Sequence, residues 1–212
     1  SAGHVYKRVK DDKRFNSDID ICTVSVKSDG KMLEYMPEDI QENKEIQMLA
    51  LSQNRKTTIY NKDACITMIY DHHSYVCNLS NKLKDDSDLM LKIFGHPRYN
   101  DGTIRRFVMK YASNRLKNDE LFMTQIVKID GLNLEHGSFN IKANKSVVLE
   151  AVKQDGRAIE YACERLKNNY EIAIIALKTH ANAFSYLKDE MRDNEKIITE
   201  LSTNNGDEVE GI

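Results

Sequence analysis

The sequence has no CxxC pair, only two prolines and nine glycines, and no excess of charge of one sign. It also has no apolar run approaching the roughly 18 residues that a membrane span requires, so no transmembrane segment is expected and the chain reads as soluble. Each further absence excludes something. Four scattered cysteines, Cys22, Cys65, Cys77 and Cys163, form no disulfide framework and read as reduced thiols in a cytosol-like compartment. A formal charge of −2 makes no general electrostatic case for nucleic acid or an anionic membrane as the main partner. No glycine-rich phosphate loop, Walker sequence, GxSxG elbow or HExxH helix occurs, so no cofactor is expected and the chain reads as a non-enzyme. The start Ser1-Ala2-Gly3, without an initiator Met, reads as a vector remnant ahead of an excised fragment, which would hide a native targeting signal.

What is present is periodic. Charged residues make up 30% and hydrophobic ones 41%, a balance that suits helices with one apolar stripe and one wet face. Segments 120–144, 145–169 and 170–194 align without a gap, ending in Ile141-Lys-Ala-Asn144, Leu166-Lys-Asn-Asn169 and Met191-Arg-Asp-Asn194. The same terminator appears as Ile40-Gln-Glu-Asn43, Leu83-Lys-Asp-Asp86 and Leu116-Lys-Asn-Asp119. The period implies about eight copies of a unit of roughly 25 residues, an all-α tandem array of short helical hairpins of the α-solenoid kind. The array spans 18–201, after an N-terminal segment 1–17 that ends a preceding copy and before an acidic, fraying tail at 202–212. Two copies are irregular: 44–61 has lost residues, and 87–119 has gained a stretch around Gly95 to Gly102.

Within the unit, each terminal Asn or Asp (Asp18, Asn43, Asn61, Asp86, Asp119, Asn144, Asn169, Asn194) is placed to cap the helix that follows. Along that helix the third, fourth, seventh and eighth residues are apolar, as in Val147, Val148, Ala151, Val152 and in Ile172, Ala173, Ala176, Leu177, which predicts one buried stripe. The helix should end at Asp-Gly, with the glycine in the left-handed region as a C-cap. A second, shorter helix carrying Ile159, Ala162 and Leu166 should then fold back onto the first.

The motif K-x-D-G (Lys27 to Gly30, Lys128 to Gly131, Lys153 to Gly156) is followed by Leu33-Glu-Tyr-Met36, Ile159-Glu-Tyr-Ala162 and Phe184-Ser-Tyr-Leu187. With the L-K-N-D/N terminator, these motifs resemble the short helical repeats of the domain-of-unknown-function 4116 family. The likeness is clearest over 120–201, good over 18–43 and degraded between 44 and 119. The resemblance implies tandem helical modules, often parts of larger host-directed proteins of intracellular bacteria. It therefore implies a translocated effector reaching host cytoplasm, a partner protein of the host cell, and no catalytic residues.

Several constellations invite a chemical reading. Cys65, His72, His73 and Cys77 bear the donors of a zinc site, but their spacing fits no standard motif, and Cys65 shares its repeat position with Cys22, Met90, Met123 and Val148, which favours a core thiol. A Cys-His nucleophilic pair using His96, His136 or His180 lacks any accompanying signature. Tyr35, Tyr111, Tyr161 and Tyr186 share one repeat position and read as stacking residues before they read as a binding stripe. Basic residues gather at Lys7 to Lys10 with Lys13 and Arg14, and again at Arg105, Arg106 and Lys110, with acidic residues interspersed. The insertion breaks a regular array, as functional loops do, so His96, Arg98, Tyr99, Arg105 and Arg106 are the candidate partner-binding residues. No metal or cofactor ligand is assigned. The expected function is a non-catalytic protein-protein interaction module; its alternative is a phosphate-recognising module for phospholipid or nucleic acid, using the basic N-terminal segment and Arg105/Arg106. With a protein partner the first expectation, nucleic acid is not expected, and the sequence leaves the oligomeric state open.

Overall fold

A computed structural model describes residues 18–204, and within them the repeat is all-helical. The N-terminal segment 1–17, with its basic cluster, and the tail from 205 lie outside the described residues. The chain divides into two compact units, Ser1–Ile93 and Phe94–Ile212.

Unit 1 contains α1 (Ile19–Ser28), a 3₁₀ segment (Gly30–Tyr35), α2 (Glu38–Gln41), α3 (Lys44–Gln53), α4 (Lys62–Asp71), a 3₁₀ segment (His73–Asn78) and α5 (Asn81–Lys84). The helix α6 (Ser87–Phe94) closes it. Unit 2 continues with a 3₁₀ turn (Pro97–Tyr99), α7 (Gly102–Lys110), α8 (Asn114–Lys117) and α9 (Glu120–Ile129). Three regular copies follow: a 3₁₀ segment (Gly131–His136), α10 (Phe139–Lys142) and α11 (Lys145–Gln154); a 3₁₀ segment (Gly156–Tyr161), α12 (Glu164–Lys167) and α13 (Tyr170–Thr179); a 3₁₀ segment (Ala181–Tyr186), α14 (Asp189–Arg192) and α15 (Glu195–Asn204).

All eight expected caps form. The side chains of Asp18, Asn43, Asn61, Asp86, Asp119, Asn144, Asn169 and Asn194 accept from a backbone amide two or three residues on, at 2.7 to 3.2 Å for the shortest contact of each. Such a cap is worth about 1 kcal/mol. A second set was not visible from sequence: Ser80, Ser113 and Ser138 cap the one-turn helices by accepting from Leu83, Leu116 and Ile141.

The stripe is buried as the spacing predicts. Phe122, Met123, Ile126 and Val127 of α9, and the corresponding residues of α11 and α13, are all at most 3% exposed. Position four shows which way the stack runs. It is fully buried at Cys22, Gln47, Cys65, Met90, Met123, Val148 and Ala173, yet 49% exposed at Ile198 of α15, the last described helix. In unit 2, α9, α11, α13 and α15 pack each on the next, while the 3₁₀ segments pack side by side as a second layer.

Two expectations are corrected. The second limb of the unit is not one short α-helix but a six-residue 3₁₀ segment followed by a single α turn. In a 3₁₀ helix residues three apart eclipse, so Gly156 and Ile159 share the inward face. Nor does the Asp-Gly glycine adopt a left-handed conformation, since no glycine among the described residues has positive φ. The helix instead ends on an extended aspartate (Asp155, φ −149°, ψ 113°) whose carboxylate caps the 3₁₀ segment through the Arg157 amide at 3.0 Å. Glycine is required by a close approach. A Cβ on Gly131 would fall within 3 Å of the Ala151 carbonyl oxygen, and one on Gly156 would do the same to Ala176.

The shortened copy has its own solution. After α3 the chain turns at Arg55 and Lys56, the Thr57 amide donating to the Asn54 carbonyl at 3.0 Å, and passes through Thr57 and Ile59, 3% and 0% exposed, with no 3₁₀ segment. Gln47, at a core position, fills the gap: its amide donates to the Thr58 carbonyl at 3.1 Å and its oxygen accepts from the Tyr60 amide at 2.8 Å. Ile59 then exchanges backbone bonds with Asn78 and Ser80, each at 2.8 Å. In the enlarged copy, α7 replaces the 3₁₀ segment and packs against 131–136.

Gly131→Ala and Gly156→Ala are therefore expected to lower unfolding stability by about 1–3 kcal/mol, the usual cost of overpacking against backbone. Gly102→Ala, where the added Cβ meets only the Asp130 carboxylate at 3.3 Å, should change it by less than about 0.5 kcal/mol. Urea unfolding of the three variants measures the contrast.

Candidate functional site

The insertion delivers Arg105 and Arg106 to a polar recess of about 350 Å³ in unit 2. Its walls come from three successive copies: Asp101 to Arg106 at the start of α7, Asp130 where α9 ends, and Asp155 with Arg157 where α11 ends. The repeat itself places the last two aspartates, because each is the residue that ends a long helix and caps the next 3₁₀ segment.

Each carboxylate in the recess is engaged. Asp101 caps α7, accepting from the Thr103 amide at 2.7 Å, and that bond holds its carboxyl below the usual range. Asp155 is partly buried, which opposes ionisation, but the guanidinium of Arg157 grips it in a two-pronged contact at 3.1 and 2.7 Å and holds it ionised. Asp130 is 9% exposed and burial pushes its carboxyl up, against the pull of the Leu132 amide, Arg106 and Arg105.

The arginines are less engaged. One terminal nitrogen of Arg105 donates to the Asn100 side chain at 3.3 Å, and its guanidinium lies 5.8 Å over the Phe94 ring, while its Nε is buried with no acceptor. The guanidinium of Arg106 makes no ion pair among the described residues; only field effects link it to Asp101 and Asp130.

The other insertion residues separate. His96 is half-buried and caps the turn by accepting from the Arg98 amide at 3.3 Å; Arg98 is exposed. Tyr99 is 3% exposed and belongs to the core, so it is withdrawn as a contact residue: the 3₁₀ turn aims its ring inward. Asp130, Asp155 and Arg157 were missed. The K-x-D-G motif marked both aspartates, but only the fold shows that neighbouring copies set them beside the insertion.

The remaining constellations disperse. Cys65 is fully buried, which pushes its thiol up to about 12, whereas Cys77 is exposed and donates to the Ser74 carbonyl at 2.9 Å. His72 and His73 stack on each other at 5.4 Å. Among the described residues no group of three or more His, Cys, Asp or Glu side chains is arranged to hold a metal ion, and no helix is long and apolar enough to cross a membrane. Tyr35 is 41% exposed, and Tyr111, Tyr161 and Tyr186 are half-buried.

Residues 18–62 and 144–192 match the model of a family described as a domain of unknown function (DUF4116). The match supports that family. It reaches into the shortened copy, where Asn43 and Asn61 cap the helices that follow them. No curated protein and no solved structure matches the chain.

One position in the repeat carries a pH signature. The sixth residue of the 3₁₀ segment is Tyr35, Tyr161 or Tyr186 in other copies and His136 here. Burial lowers the affinity of His136 for a proton, Lys117 and Lys142 adding to the effect against Glu135 and the Arg106 backbone, and its Nε2 is buried without a partner. Above pH ~6.5 the imidazole is neutral in folded and unfolded chains alike and contributes no pH dependence. As pH falls through that value the unfolded chain takes up the proton first, so stability falls until the folded imidazole is also protonated. Unfolding titrations from pH 7.5 to 5 should show a smaller loss for His136→Tyr than for the wild type.

Proposed function

We propose that this chain is a non-catalytic protein-interaction module, one part of a larger host-directed bacterial protein. The observation that carries this reading is a pair of apolar side chains for which the repeat has no use. Leu121 and Phe139 are 78% and 79% exposed. Leu121 is the second residue of its helix, a place held by Asp20, Glu45, Asp63, Asp88, Ser146, Glu171 and Lys196 in the other copies. Phe139 opens its one-turn helix, where the others have Glu38, Asn81, Asn114, Glu164 and Asp189.

Hydrogen bonds from Ser138 and Asn140 to the Asn118 side chain, at 2.6 and 3.2 Å, lay residue 139 alongside the junction from which Leu121 departs. A single exposed apolar side chain needs no explanation, but two in otherwise polar slots of adjoining copies are what a docking anchor requires. The phosphate reading has less behind it as the main function, because its N-terminal cluster falls outside the described residues.

Phe139→Asn and Leu121→Glu install residues that other copies already carry in those places. Stability should therefore stay within about 0.5 kcal/mol of wild type. Proteins captured by the wild-type chain from host-cell lysate, identified by mass spectrometry, should be lost with the double variant. An identical set captured by both would contradict the reading.

A further inference from the structure

We propose that the recess between α7 and the 3₁₀ segments beginning at Gly131 and Gly156 is an oxyanion site, taking a phosphate or carboxylate group carried on the partner protein. The partner rests on the interaction reading above, whereas the site stands on the recess alone.

The argument turns on which charges are already engaged. Six ionised side chains line the recess, three of each sign, and formal counting gives no net field. Engagement breaks the tie. Asp155 and Arg157 satisfy one another through two parallel contacts, the geometry in which a guanidinium and a carboxylate have least left for a third group. Asp101 spends its charge on the first amides of α7, which are themselves a positive pole. Asp130 accepts from the Leu132 amide at 3.2 Å, while burial pushes its carboxyl up.

What remains is donor capacity. Among the described residues Arg106 makes no ion pair, and the Nε of Arg105 is buried with no acceptor, so the protein leaves that guanidinium incompletely satisfied. The Phe94 ring beneath Arg105 and the Asn100 contact hold that guanidinium in place, so little side-chain entropy is lost when an anion arrives. An oxyanion answers both arginines at once; a cation would answer neither.

Asp130 makes the proposal sensitive to sign. As the carboxylate least stabilised in its ionised form, it opposes an incoming anion, and Asp130→Asn removes that opposition while keeping an oxygen to cap Leu132. Arg106→Ala removes attraction from a side chain that supports nothing else by ion pairing.

The test is titration of the whole chain with inorganic phosphate and, separately, with acetate, followed by backbone amide chemical shifts. Saturable shifts centred on residues 101–106 and 130–132 are expected with at least one ion, and which ion is tighter separates phosphate from carboxylate as the natural group. Arg106→Ala should weaken binding about tenfold, the scale of one charge-assisted hydrogen bond. Asp130→Asn should tighten it. Circular dichroism confirms that each variant is folded. No saturable shift with either ion, shifts indifferent to Arg106→Ala, or weaker binding in folded Asp130→Asn would each overturn the proposal. If the ions bind here but no partner protein depends on Phe139, the interaction reading fails and the site stands; the reverse outcome removes the site alone.

Discussion

A ten-residue helix does not hold together alone in water, because nucleation costs more than so few hydrogen bonds return. The structure rests on meeting that constraint again in every copy. The ten-residue helices α1, α3, α4, α9, α11 and α13 are each started by an Asn or Asp side chain and stopped by an extended residue, and bury one stripe. The tightest part of that burial is the seat of one copy's glycine on the next copy's helix. Gly30, Gly131 and Gly156 lie against the backbone of Ala50, Ala151 and Ala176. Where the 3₁₀ segment opens with His73 or Ala181 instead, the seventh residue of the next helix is Ile93 or Leu201, so the small residues occur in pairs one copy apart. The same contact joins neighbouring copies and sets the spacing of the layers.

Much of this was legible in the chain, since caps and stripes are local devices. An Asn three places after an apolar residue, or valines at the third, fourth and eighth helix positions, declares its role within one helical turn. The 3₁₀ limb was not legible, because the difference between i+3 and i+4 pairing over six residues leaves no periodic trace. The glycine was misread for a related reason. Asp-Gly is the usual signature of a left-handed cap, and the requirement that excludes a side chain at Gly131 lies some twenty residues away, in α11. Gln47 interrupts the apolar stripe and repairs the chain after it: one side chain supplies the donor and the acceptor that a missing segment would have provided.

The candidate site was half legible. Arg105 and Arg106 stood out as a basic pair in a copy that had grown, and Tyr99 as an aromatic in an inserted loop. Sequence gave no means of seeing that Tyr99 turns inward to fill the core beneath that loop. Nor did it show that Asp130, Asp155 and Arg157, from the two following copies, would complete the recess. In a repeat protein the residues that meet are spaced by the period, so a site is assembled from equivalent positions of adjacent copies plus whatever the irregular copy adds. The recess follows that rule, with aspartates that cap the 3₁₀ segments of two regular copies and Arg105 and Arg106 supplied by the enlarged copy. Leu121 and Phe139 follow a complementary one: they are legible only once all copies are laid in register, as apolar residues in places the fold leaves polar.

Native-state hydrogen exchange across α9, α11 and α13 at rising denaturant addresses the central claim most directly. If each helix is held up by its neighbours, the slowest amides of all three should converge on one shared opening with one free energy and one denaturant dependence. Amides of α11 that exchange independently, at low free energy and with no dependence on denaturant while α9 and α13 stay protected, would contradict the account.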